Sequence, residues 1–394
     1  KVYNRISNRP NGPIGLPVFG CLLSFGRDPL QFLVYNGSVY PSLMYFPLLL
    51  ANNVLISDVK LLRKLYKTEK LVDRPPMSHR TPPDVFSLSG SKCEQRRKLI
   101  TKTMLSLASS SFVLSRVNES ITEYVEPIME ERYVNRQGSK SCLFFPREFM
   151  LHITFNNLWA AIFGVSLSFK DPFISKYTEA IERAFPAGSI NMLLELATNY
   201  AENVIPKFVK WHVVQKYSHE IDALVIDWMN THGFNVNEHD NIICRADSNI
   251  NGSQHDSLYI DVLIDAVNNK QVTVGDAIAD IVVVLSAGMD TTAHSSEYLL
   301  VLLAKNPKVQ QLVYDELQQV MSKHNLKTFD FRILTDLHVF RAFIYEGLRI
   351  ACVSPTGLPH IAHRDVQIEV DGKQCVIPKW TLLHANVFYM NKYL

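Results

Sequence analysis

The apolar run IADIVVVL at residues 278–285 is followed without a break by SAGMDTT, Ser286 to Thr292. Its periodicity predicts one helix from about Val274 to Leu302, roughly 40 Å long at 1.5 Å rise per residue. The first half is apolar nearly all round, so the helix must run through the interior of a large fold. An ionised Asp290 in its middle is costly unless it is hydrogen-bonded or wet. Thr291 can bond the carbonyl of Ala287 four residues back, in competition with the helix ladder. Gly288 removes a side chain that would crowd an approaching group. Two readings follow from the residues. Either the threonines back-bond within a packed helix and Asp290 caps a break, or the segment is a notch for a small ligand and a water chain, with Asp290 and Thr291 delivering protons.

The rest of the chain gives that helix a setting. At 394 residues and 47% hydrophobic side chains, a large core can be buried. Residues 9–20 are rich in Pro and Gly and predict an extended hinge. Strand-like runs follow at 38–45 and 48–56, then a helix at 57–67 with Ser57 or Asp58 as its cap. The prolines of DRPPMSHRTPPD at 73–84 predict a loop. Further helices are expected over 94–108, 118–131, 146–163, 174–184, 189–196, 201–229, 257–267, 307–323 and 333–349. The polar stretch 234–256 predicts a mobile surface connection. VQIEVDGKQCVIPKWTLL predicts a hairpin turned by Asp371-Gly372. The fold class is α+β and mostly helical, one large domain with small sheets towards both ends.

Forty Lys and Arg against 38 Asp and Glu give a net charge of +2, and no basic tail is present, so no nucleic-acid partner is expected. The six cysteines are widely spaced with no Cys-x-x-Cys pair, which argues against a disulfide scaffold or structural zinc. Cys375 is expected to be a packed hairpin residue. No apolar run is long enough to span a membrane. The chain begins at Lys1 directly before NRPNGPIGLPVFG, where an amino-terminal anchor could precede it.

A second motif lies 55 residues after Thr291: Glu346 and Arg349 in FRAFIYEGLRI, whose i,i+3 spacing puts both charges on one side of a helix. The apolar flanks predict that the pair is buried and costly to break. AGMDTT resembles the oxygen-binding groove motif of the cytochrome P450 family, Ala/Gly-Gly-x-Asp/Glu-Thr-Thr/Ser. The Glu-x-x-Arg pair resembles that family's core lock. NGPIGLPVFG is similar to the hinge after a microsomal anchor, DRPP to the segment before the substrate-contacting loop, and SPTGLPHIAHRDVQI to the stretch lining the pocket. The resemblance is to microsomal animal drug- and steroid-oxidising members. It implies a P450-like fold with a hinge at 1–20 and an incomplete domain at 21–394, whose oxygen-binding helix spans about 275–302.

The same resemblance implies the chemistry. The intact protein would be a haem-thiolate monooxygenase inserting one atom of dioxygen into an apolar substrate: a steroid, fatty acid or foreign compound. Its cofactor would be haem b (iron protoporphyrin IX), with NADPH acting indirectly through NADPH-cytochrome P450 reductase. Asp290 and Thr291 would relay protons, and Ala287 and Gly288 would line the haem face. Arg97, in CEQRRKL, matches the arginine of Trp-x-x-x-Arg and would grip one propionate, with Cys93 where the family has Trp; His360, in GLPH, would bond the other. Lys92, Arg96, Arg97 and Lys98 would offer charge to an acidic reductase surface. The family's thiolate loop, Phe-x-x-Gly-x-Arg-x-Cys-x-Gly, is absent. The metal-ligating cysteine is therefore expected beyond residue 394, and the 394-residue chain itself is expected to be inactive. The endoplasmic reticulum membrane, cytoplasmic face, would be its location, through the missing anchor. Two alternatives stand beside this reading, a non-catalytic haem- or lipid-binding descendant and a haem-free interaction scaffold.

Overall fold

The structure is a computed structural model. It describes residues 8–49, 51–69, 71–75, 82–108, 146–168, 171–184, 211–239, 241–245, 258–327 and 329–393, with a few isolated residues between 115 and 122. The helices expected at 118–131 and 189–196, and Cys142, lie outside the described residues. The chain forms two compact units, one from residues 1–94, 182–219 and 352–394, the other from 95–181 and 220–351.

In the first unit, α1 (Leu22–Arg27) and α2 (Pro29–Val39) precede β1 (Leu43–Leu48) and β2 (Ala51–Ile56). The expected strand at 38–45 therefore begins later, because 29–39 is helical. Pro29 at the first helical position and the Asp28 carboxylate, accepting from Gln31 N at 2.9 Å, start that helix. Asp58 caps α3 (Val59–Arg63), accepting from Leu61 N at 2.6 Å, as expected. After the boundary helix α4 (Gly90–Ala108), this unit resumes at its carboxy-terminal end with β5 (His360–Ile361), β6 (Val366–Val370), β7 (Lys373–Ile377) and β8 (Leu382–Ala385). One mixed sheet has the order β1-β2-β8-β5, with β2 and β8 parallel, and β6 and β7 form a separate antiparallel hairpin. Asp371 and Gly372 both have positive φ, 51° and 74°, the paired left-handed conformation of a tight hairpin turn. Val366, Ile368 and Val370 alternate inward from this hairpin onto Leu43, Val54 and Ile56. Cys375 is buried in the same cluster and burial pushes its thiol up, the inert packed role expected of it.

The second unit is helical. It contains α5 (Pro146–Phe163), a helix α6 at 172–184 whose last residues pass into the first unit, α7 (Trp211–Thr231) from Glu220 onward, and α8 (Tyr259–Asn268). The long α9 (Val274–Lys305), α10 (Pro307–Lys323) and α11 (His338–Ile350) follow. The segment expected to be a surface connection instead begins as a hairpin, β3 (Phe234–Asn237) with β4 (Ile242–Arg245). Phe234 and Ile243 are buried there, so alternating apolar residues prevailed over the polar composition. A stack of Phe155, Trp159, Phe163, Phe173 and Trp228 joins α5, α6 and α7, with Trp159 and Trp228 edge to face at 4.5 Å.

Helix α9 is buried at Val274, from Ala277 to Val282, and at Leu285, Met289 and Ala293, while Gly275, Asp276, Val283 and Val284 are half-buried. Thr273 and Asp276 close its amino terminus with a capping box that the sequence reading missed: the Asp276 amide donates to Thr273 Oγ1 at 3.1 Å, and Thr273 N donates back to Asp276 Oδ2 at 3.0 Å. Gly347 lets α11 lie against it, since a Cβ there would come 2.1 Å from Leu299 Cδ2. Residues 331–335 form a 3-10 turn rather than the first turn of α11, which starts at His338. The Glu316 carboxylate on α10 fixes that start by accepting from the backbone N–H groups of His338, Val339 and Phe340 at 2.8, 2.9 and 2.8 Å.

Candidate active site

Past Leu285 burial in α9 narrows to Met289 and Ala293. Thr291 and Thr292 are exposed, and Asp290 is half-buried. The Thr291 hydroxyl donates to the Ala287 carbonyl at 2.8 Å, the bond expected from the sequence. It is one of a series along α9. Ser286 Oγ donates to Val282 O at 2.7 Å and Ser295 Oγ to Thr291 O at 2.8 Å, while Thr154 Oγ1 of α5 lies 3.3 Å from Met289 O. Each back-bond shares a carbonyl that the helix ladder also uses. The buried Tyr177 hydroxyl stands 3.1 Å from Ser286 Oγ and fixes the edge of this stretch. His294, which the sequence reading passed over, places its Nδ1 2.8 Å from Asp290 O and 3.2 Å from Asp290 Oδ1.

Gly288 does not leave the opening expected of it. A Cβ built there would meet Leu158 Cδ1 of α5 at 2.8 Å, so its missing side chain serves the close approach of α5 to α9. Ala287 beside it is half-buried.

The two arginines of CEQRRKL have opposite fates. Arg96 is buried and its guanidinium is committed to α9: Nε and Nη2 donate to the two Asp280 carboxylate oxygens at 2.7 and 2.6 Å, and Nη1 to Asp276 Oδ1 at 3.0 Å. It is therefore withdrawn from the basic surface on which it was expected to meet a reductase. Arg97 is half-buried and has no hydrogen-bond or ion-pair partner among the described residues. A guanidinium in that state suits an anion, which is the property a propionate contact requires. Cys93, at the position of the family's tryptophan, is buried with its thiol 3.7 Å from Val85 O.

In the first unit His360 is buried, its ring centroid 4.6 Å from that of Tyr66. Its Nε2 lies 3.0 Å from Arg74 Nη1; since a guanidinium only donates, Nε2 is the acceptor. The same Nη1 donates to Pro359 O at 3.1 Å, so Arg74, in DRPP, joins His360 as a candidate anion contact that the sequence reading did not name. Burial and the His360 charge hold His384 down at about 4; its Nε2 bonds Asn53 Oδ1 at 3.0 Å.

The pair Glu346–Arg349 forms with both bonds at 2.7 Å, but it is exposed, 55% and 42% by side chain, contrary to the expectation of burial. The inward stripe of α11 is Phe340, Phe343, Ile344 and Gly347, at i, i+3, i+4 and i+7. Glu346 and Arg349 fall outside it, and the apolar flanks Tyr345, Leu348 and Ile350 are themselves exposed. Each charge holds the other in its ionised form, with the Glu346 carboxyl below its usual range.

These features lie on a chain whose residues 10–392 match the family model for cytochrome P450. The chain belongs to the cytochrome P450 family. Its relatives are distant. It is 22% identical to the probable cytochrome P450 508C1 of Dictyostelium discoideum over 98% of this chain and 77% of that protein. Against the farnesoate epoxidase of Bombyx mori identity is 22%, covering 97% and 75%. Against the cytochrome P450 18a1 of Drosophila melanogaster it is 22%, covering 98% and 71%. The mixture of long helices and small sheets agrees with the α+β P450-like fold. Membership brings with it an oxidoreductase class, haem iron and monooxygenase chemistry. Among the described residues no helix is long and apolar enough to cross a membrane.

Proposed function

We propose that the intact protein is a haem-thiolate monooxygenase acting on an apolar organic substrate such as a steroid, fatty acid or foreign compound. In this reading electrons would come from NADPH through NADPH-cytochrome P450 reductase at the cytoplasmic face of the endoplasmic reticulum membrane, and the cysteine holding the haem iron would lie beyond residue 394. The observation that carries it is the change of character along α9, from the buried run Ala277–Val282 to the exposed Thr291, whose hydroxyl proton is tied to Ala287 O beside the half-buried Asp290.

The chain's residues fit the cofactor. Arg97, in the second unit, would hold a propionate, because its guanidinium lacks an acceptor among the described residues, and the family resemblance assigns the other propionate to His360 in the first unit. Bound haem with a thiolate ligand supplies the redox chemistry that divides dioxygen between substrate and water. The protein's share is orientation and protons. With its own proton on Ala287 O, the Thr291 oxygen keeps lone pairs to receive a hydrogen bond from water, and Asp290 is placed to exchange protons with solvent. Val283, Val284 and Ala287, all half-buried, would offer an apolar substrate an apolar face of α9.

Two measurements on the full-length protein test this. The reduced, carbon-monoxide-bound spectrum should show a thiolate-type Soret band, and its absence would end the haem-thiolate reading. With lauric acid as an apolar probe, Thr291→Ala should keep haem content while product per NADPH falls on the order of tenfold. Unchanged coupling would remove Thr291 from proton delivery.

A further inference from the structure

His294 lies one turn beyond Asp290, outside the AGMDTT motif, and among the described residues its ring is tied at one edge only. Nδ1 is 2.8 Å from the Asp290 carbonyl and 3.2 Å from Asp290 Oδ1. Both neighbours are acceptors, so Nδ1 carries the proton and shares it between them, and the neutral ring keeps its lone pair on Nε2. The carbonyl bond anchors the imidazole to the helix. The anchored imidazole in turn offers a fixed donor to a carboxylate that is otherwise 30% exposed and able to turn about χ1.

We propose that His294 is a positioning residue for Asp290, its Nδ1–H holding the carboxylate in one rotamer on the turn that carries the Thr291 hydroxyl. A fixed carboxylate spends its time in the orientation from which protons are exchanged; a free one divides it among three wells. His294 needs no contact with substrate or haem to do this. The inference rests on the monooxygenase reading only for its effect on turnover, and its structural content stands without it.

The test has one arm that needs no haem and one that does, both on the full-length protein. Histidine labelled with nitrogen-15 should report His294 as the Nδ1–H tautomer. Three-bond couplings across χ1 of Asp290 should report one dominant rotamer in the parent and averaging in His294→Leu. His294→Asn sets an amide N–H close to the place of Nδ1 and should keep the rotamer; His294→Gln, whose amide reaches the place of Nε2, should not. In the second arm, product per NADPH with lauric acid should fall about fivefold in His294→Leu and His294→Gln, the scale of one ordinary hydrogen bond, and stay near the parent in His294→Asn. An Nε2–H tautomer, or an Asp290 rotamer indifferent to His294→Leu, overturns the proposal. So does equal turnover by the Asn and Gln variants, because a residue that merely fills space would not tell them apart. If the carbon-monoxide band is missing but the rotamer responds as stated, the monooxygenase reading falls and the positioning role remains.

Discussion

Arg96→Met removes from Asp280 both bonds of a bidentate ion pair, at 2.7 and 2.6 Å, in a place where arginine is 4% and aspartate 1% exposed. Breaking a buried pair from one side costs about 3–5 kcal/mol, because the remaining charge keeps its desolvation penalty without its partner. That is a large part of a stability of about 5–15 kcal/mol. Asp280→Leu should cost less, about 2 kcal/mol, since Arg96 keeps the Asp276 carboxylate at 3.0 Å and the Asp276 carbonyl at 2.9 Å. The double variant Arg96→Met/Asp280→Leu leaves neither charge of the bidentate pair behind, and Asp276, partly exposed, keeps its bonds from Thr273, so it should return to within about 1 kcal/mol of the parent and the single costs fail to add. The neighbour provides the control: Arg97→Met loses no partner among the described residues and should stay within about 0.5 kcal/mol of the parent without haem. Urea midpoints at constant slope give all four numbers. Equal effects of Arg96→Met and Arg97→Met, or a double variant as unstable as Arg96→Met, would refute the reasoning.

Three more outcomes follow from particular groups. His384 is held neutral at about 4 by burial and by the His360 charge, against 6.5 for a free imidazole. As pH falls from 6.5 towards 4, the unfolded chain takes this proton first, and up to about 3 kcal/mol of stability should be lost across that window. His384→Gln should flatten the slope, and an identical slope would exclude His384 as its source. Burial raises the Glu316 carboxyl, but the N–H groups of Val339, Phe340 and His338 outweigh it and bring it below its usual value. Its contribution is therefore complete above the ordinary glutamate range and is lost as pH falls through the lowered one. Glu316→Gln should cost about 1 kcal/mol at neutral pH, the scale of a helix cap, and no change in the urea midpoint would show that the cap contributes nothing. Arg349→Ala should leave the unfolding midpoint of the haem-free chain unchanged, since Glu346 stays hydrated; a large drop would restore the buried pair that the structure contradicts.

What could be read in the sequence depended on how far apart the partners were. The back-bond from Thr291 to Ala287 spans four residues, and the Asp371-Gly372 turn needs only its own two, so both were legible from local chemistry. The bounds of α10, 307–323, were legible because Pro307 and the apolar spacing agree. Asp280 was overlooked inside IADIVVVL although an acid in an apolar run demands a cation, and that cation lies 184 residues away on α4. The exposure of Glu346 had the opposite cause. Apolar neighbours suggested burial, but only one stripe of α11 faces inward, and Gly347 at its carboxy-terminal end, not the hydrophobic flanks, marks the contact.

The clamp on Arg96 also bears on its neighbour. Successive helical residues are set about 100° apart, so tying Arg96 to Asp276 and Asp280 fixes the rotation of α4 and with it the direction in which Arg97 projects. In the family this stretch carries a tryptophan, whose large body could hold the helix; here the buried Cys93 supplies far less surface, and a bidentate ion pair supplies orientation instead. The double variant Arg96→Met/Asp280→Leu separates the two roles of that pair, since it should recover stability without recovering the fixed rotation. If Arg97 is aimed by its neighbour, the double variant should fold as well as the parent yet release haem about tenfold faster to apomyoglobin, the equivalent of about 1.4 kcal/mol if association is unchanged. Parent-like retention in a stable double variant would mean that the rotation of α4 is set elsewhere, and the ion pair would then be a matter of stability alone.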